Sequence, residues 1–433
     1  MGFGISRYVL SSCVVAAMLA GCGGSPPPVS APGALPQSQA TAPYAERAHV
    51  HPAYSVIYSF KAAEDGEYPY ASPINVNGTL YGTTFFGGGI SGCMAACGTV
   101  FAVTTSGKEK VLHSFRGAGD GAYPLAGLLD VNGLLYGMTW EGGRSEYGTV
   151  YVITTSGKKP RVLHAFVGGC CDGAYPRAVF IKVNGTLYGT TDEGGSTGCY
   201  QDQGCGTVFA ITASGKETVL HSFGTSSGDG QYPEAGLLNV KGTLYGTTSE
   251  GGAYNEGTVF AMKTPASGTE TILHSFGAPG DGEEPYAGLI NVNGTLYGTT
   301  LNGGNGGCFH GCGTVFAITT SGKESVLHSF SGAPDGFSPY AGLINFKGTL
   351  YGTTAYGGNG GCGGVGCGIV FSLTPSGTET VLHTFVGYPN DGGEPEADLL
   401  NVNGTLYGTT MSGGSVDNNH CDDGCGAVFA IKP

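Results

Sequence analysis

Seven times in this 433-residue chain a proline is followed by a residue that changes from copy to copy: Tyr70, Leu125, Arg177, Glu234, Tyr286, Tyr340 and Glu396. Two of these are carboxylic acids, and two carboxyl groups about 5–9.5 Å apart can act as an acid/base pair on a glycosidic bond. A second variable set precedes a recurring Gly-Gly: Phe85-Phe86, Trp140-Glu141, Asp192-Glu193, Ser249-Glu250, Leu301-Asn302, Ala355-Tyr356 and Met411-Ser412. Aromatic faces beside carboxylates and amides suit recognition of sugars or peptides. The candidate binding residues are therefore Tyr70, Phe85, Phe86, Trp140, Glu141, Arg177, Asp192, Glu193, Glu234, Tyr356 and Glu396. Catalysis has less behind it. The chain carries no Gly-x-Ser-x-Gly elbow, phosphate loop or His-Glu-x-x-His, so no catalytic residue, cofactor or metal is assigned.

Ten cysteines fall in five close pairs: Cys93/Cys97, Cys199/Cys205, Cys308/Cys312, Cys362/Cys367 and Cys421/Cys425. In an exported chain such pairs read as local disulfides. Zinc would need two more soft ligands per pair, and His310 and His420 supply histidine in two of the loops only. Adjacent Cys170 and Cys171 can form a strained vicinal disulfide or stay free. A histidine recurs at 113, 164, 221, 274, 328 and 383, with Tyr58 in the seventh place. On the fourth strand of each unit these residues are spread around the rim and cannot converge on one site, so packing plus one hydrogen bond is expected of them. Asp-Gly pairs at Asp65, Asp120, Asp172, Asp229, Asp281, Asp335 and Asp391 suit Asx-turns.

Repetition explains how such residues are positioned. Leu-Tyr-Gly occurs seven times, with Tyr at 81, 136, 188, 245, 297, 351 and 407. Each unit holds four short runs of β-forming residues; in the fifth they are 287–292, 295–300, 313–319 and 324–330. Asn293-Gly294 between the first two is a type I′ hairpin signal. Four antiparallel strands per unit and seven units predict an all-β, seven-bladed β-propeller. The last unit stops after its third-strand motif at Ala430-Ile431, while the domain opens on a lone fourth-strand motif, Tyr54–Phe60. Strand 54–60 is therefore expected to close the last blade. Loops alternate between the faces of a propeller. The tight hairpins share one face; the long, variable, cysteine-bearing loops share the other, which is the expected working face.

The unit, Asp-Gly-x-x-Pro through Leu-Tyr-Gly-Thr-Thr and Gly-Thr-Val-Phe-Ala to Val-Leu-His-Ser-Phe, resembles the GloVer tandem-repeat (choice-of-anchor) family of bacterial surface proteins. The resemblance covers residues 54–433 and implies architecture and location, not an activity. Leu19-Ala20-Gly21-Cys22 resembles the lipobox of bacterial lipoproteins, which implies a signal peptide over 1–21 and lipidation of Cys22. Gly23 after the cysteine fits an outer-membrane destination by the same resemblance. Residues 22–53 read as the lipidated cysteine and a Pro-rich linker.

Charge narrows the partners. The net charge of −14, with 18 Lys+Arg, leaves no footprint for nucleic acid and none for anionic lipid, so the membrane is reached through the lipid only. Together these readings predict a monomeric, lipid-anchored envelope protein that binds glycan or protein without catalysis. The alternative is an envelope enzyme, a polysaccharide hydrolase or lyase, with its site on the variable-loop face.

Overall fold

The structure is a computed structural model, and it describes residues 53–433 except 63, 90–91, 94–95, 197, 200–202, 265–268 and 416–420. The signal peptide, Cys22 and the Pro-rich linker lie outside the described residues, as does His420. Seven four-stranded antiparallel sheets follow one another along the chain. The first six blades each take four consecutive strands. The seventh combines Leu400–Val402, Thr405–Thr410 and Ala427–Lys432 with the N-terminal strand Ala53–Ser59. Ala53 pairs with Lys432 and Ser59 with Ala427, so the expected seam is present, with the strand running Ala53–Ser59 where 54–60 was expected.

The hairpins between first and second strands place two successive residues at positive φ, as in Asn77 (53°) and Gly78 (85°), or Lys241 (52°) and Gly242 (85°). Both central residues of a type I′ turn need this. First strands are shorter than the sequence suggests. In blade five the ladder begins at Ile290 rather than at 287. The preceding segment leaves its own sheet because the Ala287 carbonyl accepts a hydrogen bond from Thr247 Oγ1 of the previous blade, at 3.0 Å. The same threonine-to-alanine-carbonyl bond recurs at Thr83, Thr190, Thr299 and Thr409, while Thr353 bonds the Pro395 carbonyl instead. Blade two has Met138 at that position and lacks the hydroxyl.

Aromatic packing joins the blades. Each fourth-strand Phe meets the third-strand aromatic of the next blade edge to face, from Phe60–Phe101 at 5.0 Å to Phe385–Phe429 at 5.2 Å. Such pairs are worth about 0.5–1.5 kcal/mol beyond area burial. The glycine of Leu-Tyr-Gly makes room for them, since a Cβ at Gly82 would stand 2.5 Å from Phe101 Cζ. Every fourth strand also carries a β-bulge, as between Val208/Phe209 and their partners His221/Val219. A bulge changes which face the following side chains point to, and this governs the blade junctions.

Candidate functional site

On the variable-loop face, each blade opens with a proline segment held from two sides. The residue before the proline is left-handed in every blade: Tyr68, Tyr123, Tyr175, Tyr232, Glu284, Ser338 and Glu394 have φ of 54–58°. Residues preceding proline ordinarily sit in the extended region. Here two backbone hydrogen bonds hold the exception. In blade two the Tyr123 N–H donates to the Cys97 carbonyl of the previous blade, and its own carbonyl accepts from Trp140 N–H. Blades three and five keep the first bond without cysteine, through the carbonyls of Tyr147 and Glu256.

The residue after the proline thereby reaches the propeller axis. Tyr70, Leu125, Arg177, Glu234, Tyr286, Tyr340 and Glu396 line a single cavity of about 120 Å³ at the axis. Four of the sequence-predicted binding residues, Tyr70, Arg177, Glu234 and Glu396, are thus brought together, and Leu125, Tyr286 and Tyr340 complete the ring. The space holds a few waters or the tip of a polar ligand, not a whole one.

Its chemistry is uneven around the ring. Arg177 forms an ion pair with Glu234 at 2.5 Å, and Ser249 Oγ donates to Glu234 at 3.2 Å. Tyr286 and Tyr340 lie with ring centroids 5.7 Å apart, while Tyr70 meets Phe85 edge-on at 5.4 Å. Burial pushes Glu396 up to about 8, Glu394 adds to the rise, and Arg177 opposes it. Burial also raises Glu234 and Asp192, with Arg177 opposing in both cases. One guanidinium cannot neutralise two carboxylates in so little water, so Glu396, the one not paired with Arg177, holds its proton at neutral pH. The mouth disfavours anions and suits neutral or cationic groups.

The other predicted residues do not line this cavity. Phe86, Glu141, Glu193 and Tyr356 sit in two-residue ribbons or bridges that tie the loop before each blade to the loop after its second strand. They are half-buried rather than free loop tips. Phe85, Phe86, Tyr123, Trp140 and Tyr175 make a continuous aromatic run across blades one to three, with Trp140 6.1 Å from Phe85 and 5.7 Å from Tyr175. The indole Nε1 of Trp140 is buried without a hydrogen-bond partner among the described residues. Tyr356 packs on Phe337. Burial raises Glu141 and Glu193, the latter to about 7. Around this centre the long loops expose Phe309 (91%), Val167, Tyr254, Val365, Val386 and Tyr388.

All five cysteine pairs are disulfides within their own loops: Cys93–Cys97, Cys199–Cys205, Cys308–Cys312, Cys362–Cys367 and Cys421–Cys425, with Cα separations of 5.1–5.4 Å. The pairs lie in the variable loops as expected, and their placement adds what spacing did not tell, how deeply they are set. The second cysteine of each pair is core: Cys97, Cys205, Cys312, Cys367 and Cys425 are all buried. Cys205 packs in one cluster with Val208 and Phe223, Cys312 with Val315 and Phe330, Cys367 with Val370 and Phe385, and Cys425 with Phe60 and Val428. The physical reason is that each stands two residues before a third strand whose apolar face fills the blade, and a disulfide sulfur is itself apolar. Backbone carbonyls at the same positions hold the next proline segment: Cys205 accepts from Tyr232 N–H, Cys312 from Ser338, Cys367 from Glu394 and Cys425 from Tyr68. These disulfides pin the loops to the core, and none of their cysteines lines the cavity. Cys170 and Cys171 are free and exposed.

At the outer rim the recurring His and Asp pair with each other, as His113 Nε2 with Asp120 Oδ2 at 2.9 Å. Sequence reasoning missed a third member. Glu109, Glu217, Glu270, Glu324 and Glu379 each come from the fourth strand of the following blade, beside the Asp of the preceding junction. The available signal was the Glu four residues before five of the six recurring histidines.

Family comparison settles the lineage. The Gloeobacter/Verrucomicrobia repeat profile matches residues 47–201 and 201–422. The chain belongs to this repeat family. No curated protein sequence matches it. Similar solved folds include a puromycin hydrolase, 11% identical with a TM-score of 0.49, covering 83% of this chain and 53% of that one. TolB from Acinetobacter baumannii is 12% identical with a TM-score of 0.38, covering 66% and 59%. The nidogen/laminin complex is 18% identical with a TM-score of 0.36, covering 57% and 74%. This repeat-family chain therefore spans little more than half the length of the first two, and the likeness concerns fold alone. No helix among its described residues is long and apolar enough to cross a membrane.

Proposed function

We propose that this repeat protein is a non-catalytic binding module of the bacterial envelope, anchored by a lipid on Cys22, with the mouth of its variable-loop face as the ligand site. The observation that carries the reading is the convergence of the seven non-repeating Tyr, Leu, Arg and Glu side chains on one cavity. The ligand would present a neutral or cationic group to Glu396 and the tyrosines, as the end of a neutral glycan or a basic side chain of a protein does. The exposed apolar loops around the mouth would supply the wider contact.

The test is a glycan array and a protein-partner capture, run with the parent and with Tyr70→Ala/Glu396→Gln. A ligand found by either screen should bind the double variant at least ten times more weakly, roughly 1.4 kcal/mol. Equal binding would place the site elsewhere. For the anchor, Cys22→Ser should move the protein from the membrane fraction to the soluble one, and a variant that still pellets would refute lipidation there.

One observation favours a second reading, an enzyme acting on polysaccharide. Glu234 and Glu396 share the cavity, and burial raises both, as a general acid requires. Release of oligosaccharides by the parent but not by Glu396→Gln would replace the binding reading with this one.

A further inference from the structure

Among the described residues, three rim junctions bring donor atoms of a His, an Asp and a Glu within 4.8 Å of one another, and one of the three departs from the other two. Between blades two and three, and between four and five, the histidine Nε2 bonds its aspartate at 3.1–3.2 Å (His164–Asp172) and at 2.9 Å (His274–Asp281). Between blades three and four, His221 Nε2 makes no such bond. It stands 3.6 Å from Asp229 Oδ1 and 3.3 Å from Glu270 Oε2. All three side chains are shielded, with exposures of 13% for His221, 4% for Asp229 and 7% for Glu270. Glu270 Oε1 is buried and unpartnered among the described residues, as Glu217 Oε1 and Glu324 Oε1 are at the other two junctions, so the unbonded His221 is what sets this junction apart. An acceptor hidden from water without a donor costs free energy, and here two carboxylates and an unbonded imidazole nitrogen face one another.

We infer that His221, Asp229 and Glu270 form a divalent transition-metal site of the zinc class that staples blade three to blade four. The one-atom-per-residue donors of this group lie within 4.8 Å of one another. The separations of 3.3 and 3.6 Å match the edge of a tetrahedron with ~2.0–2.1 Å metal–ligand bonds, which is roughly 3.4 Å. One imidazole and two carboxylates are zinc-type ligands. Calcium takes six to eight oxygens, which this junction does not offer. Three protein ligands leave a fourth position for water, and the partly exposed His221 edge gives water access.

The ligands are also held in place, as metal sites require. Asp229 accepts from Thr225 N at 3.0 Å and from Gly230 N at 2.9 Å. His221 lies edge-on against Phe223 at 4.6 Å. Glu270 starts a strand of blade four, whereas His221 lies near the end of one of blade three, so a bound ion would cross-link the outer edges of two blades that are otherwise joined by packing and by the Thr190–Ala235 and Tyr232–Cys205 hydrogen bonds.

The experiment uses the full chain carrying Cys170→Ser and Cys171→Ser, so that the exposed thiols contribute nothing. The protein is stripped with chelator, incubated with zinc, desalted and analysed for metal, and its melting temperature is read with and without zinc. One retained equivalent and a zinc-dependent rise in melting temperature are expected. Glu270→Gln should lose both while keeping the parent's circular dichroism. Glu324→Gln, at the junction where His274 is already bonded to Asp281, should keep both. No retained zinc, or zinc retained equally by Glu270→Gln, would overturn the site. If Glu270→Gln fails to fold, His221→Gln serves in its place with the same expectations.

Discussion

The rim and the mouth of this propeller come from the same seven repeats and follow opposite rules. At the rim each junction uses the same chemical types, His or Tyr with Asp, and in five of seven cases a Glu from the next blade. At the mouth, where the seven post-proline positions meet, the types are Tyr, Leu, Arg, Glu, Tyr, Tyr and Glu. The rim positions are far apart and each serves only its own junction, so repetition satisfies them one at a time. The mouth positions share one small space, so one substitution there changes a single site and no blade loses its frame. Folding is therefore concentrated in what repeats, and the proposed recognition in what does not.

The largest test of this division removes a rim element that closes the ring. Deleting residues 53–60 takes away the fourth strand of blade seven, the Tyr54 and Tyr58 hydroxyls bonded to Asp391 and Asp65, and the Phe60 ring packed on Phe101. Loss of one buried Phe alone costs about 3–5 kcal/mol, and the exposed edge of Ala427–Lys432 invites aggregation. Insoluble protein, or a melting temperature well below that of a chain lacking only residues 44–52, is expected. Equal melting of the two would show that the seam is dispensable.

A smaller effect should appear with pH, again at the rim. Burial and a neighbouring Asp push Glu109 and Glu379 up to about 7, opposed by Lys61 at the first and His328 at the second. In the unfolded chain they titrate near 4.5. Between these values the folded protein binds more protons, so stability falls as pH rises through this window and is flat above it. Asp335 and Asp391, which are lowered, act only below their ordinary range and leave pH 5–8 untouched. Melting temperature should be higher at pH 5 than at pH 8, and Glu109→Gln/Glu379→Gln should shrink the difference. A difference unchanged in the double variant would remove these two groups from the account.

Much of the frame was legible because hairpin and disulfide signals are local. Asn-Gly fixes a turn within two residues, and a Cys pair closes within its own loop. The depth of that closure was not legible, since spacing pairs Cys205 with Cys199 without telling which of the two sits among Val208 and Phe223. The post-proline ring was legible as a set because repeats superimpose in sequence, although its two-carboxylate, one-arginine electrostatics required the actual cavity. The rim glutamates were hidden for a specific reason. Glu217 and His221 are four apart on a strand, a spacing that puts both on one face. The bulge at Val208/Phe209 reverses the face between them, so Glu217 meets His164 and Asp172 of the blade before while His221 meets Glu270 of the blade after. The ribbons were missed too, because their residues Phe86, Glu141, Glu193 and Tyr356 vary like free loop tips while their backbones pair regularly.

The smallest expected effect on stability belongs to the mouth, and it bears most directly on the comparison. Glu396 lines the cavity and makes no hydrogen bond to another described residue, and with burial holding it near 8 it is largely protonated at pH 7. A glutamine has nearly the same shape as that protonated acid and also presents one donor-bearing group and one carbonyl. Glu396→Gln should therefore melt within about 1–2 °C of the parent at pH 7, as a change below roughly 0.5 kcal/mol would give. Above pH 8 the parent must bury a charge at this position while the variant does not, so the variant should become the more stable of the two. Thermal melts of both proteins at pH 7 and pH 9 measure this. A large loss at pH 7 would mean that Glu396 supports the blades as the rim residues do. The mouth would then obey the same rule as the rim, and the division between folding and recognition would fail at its central residue.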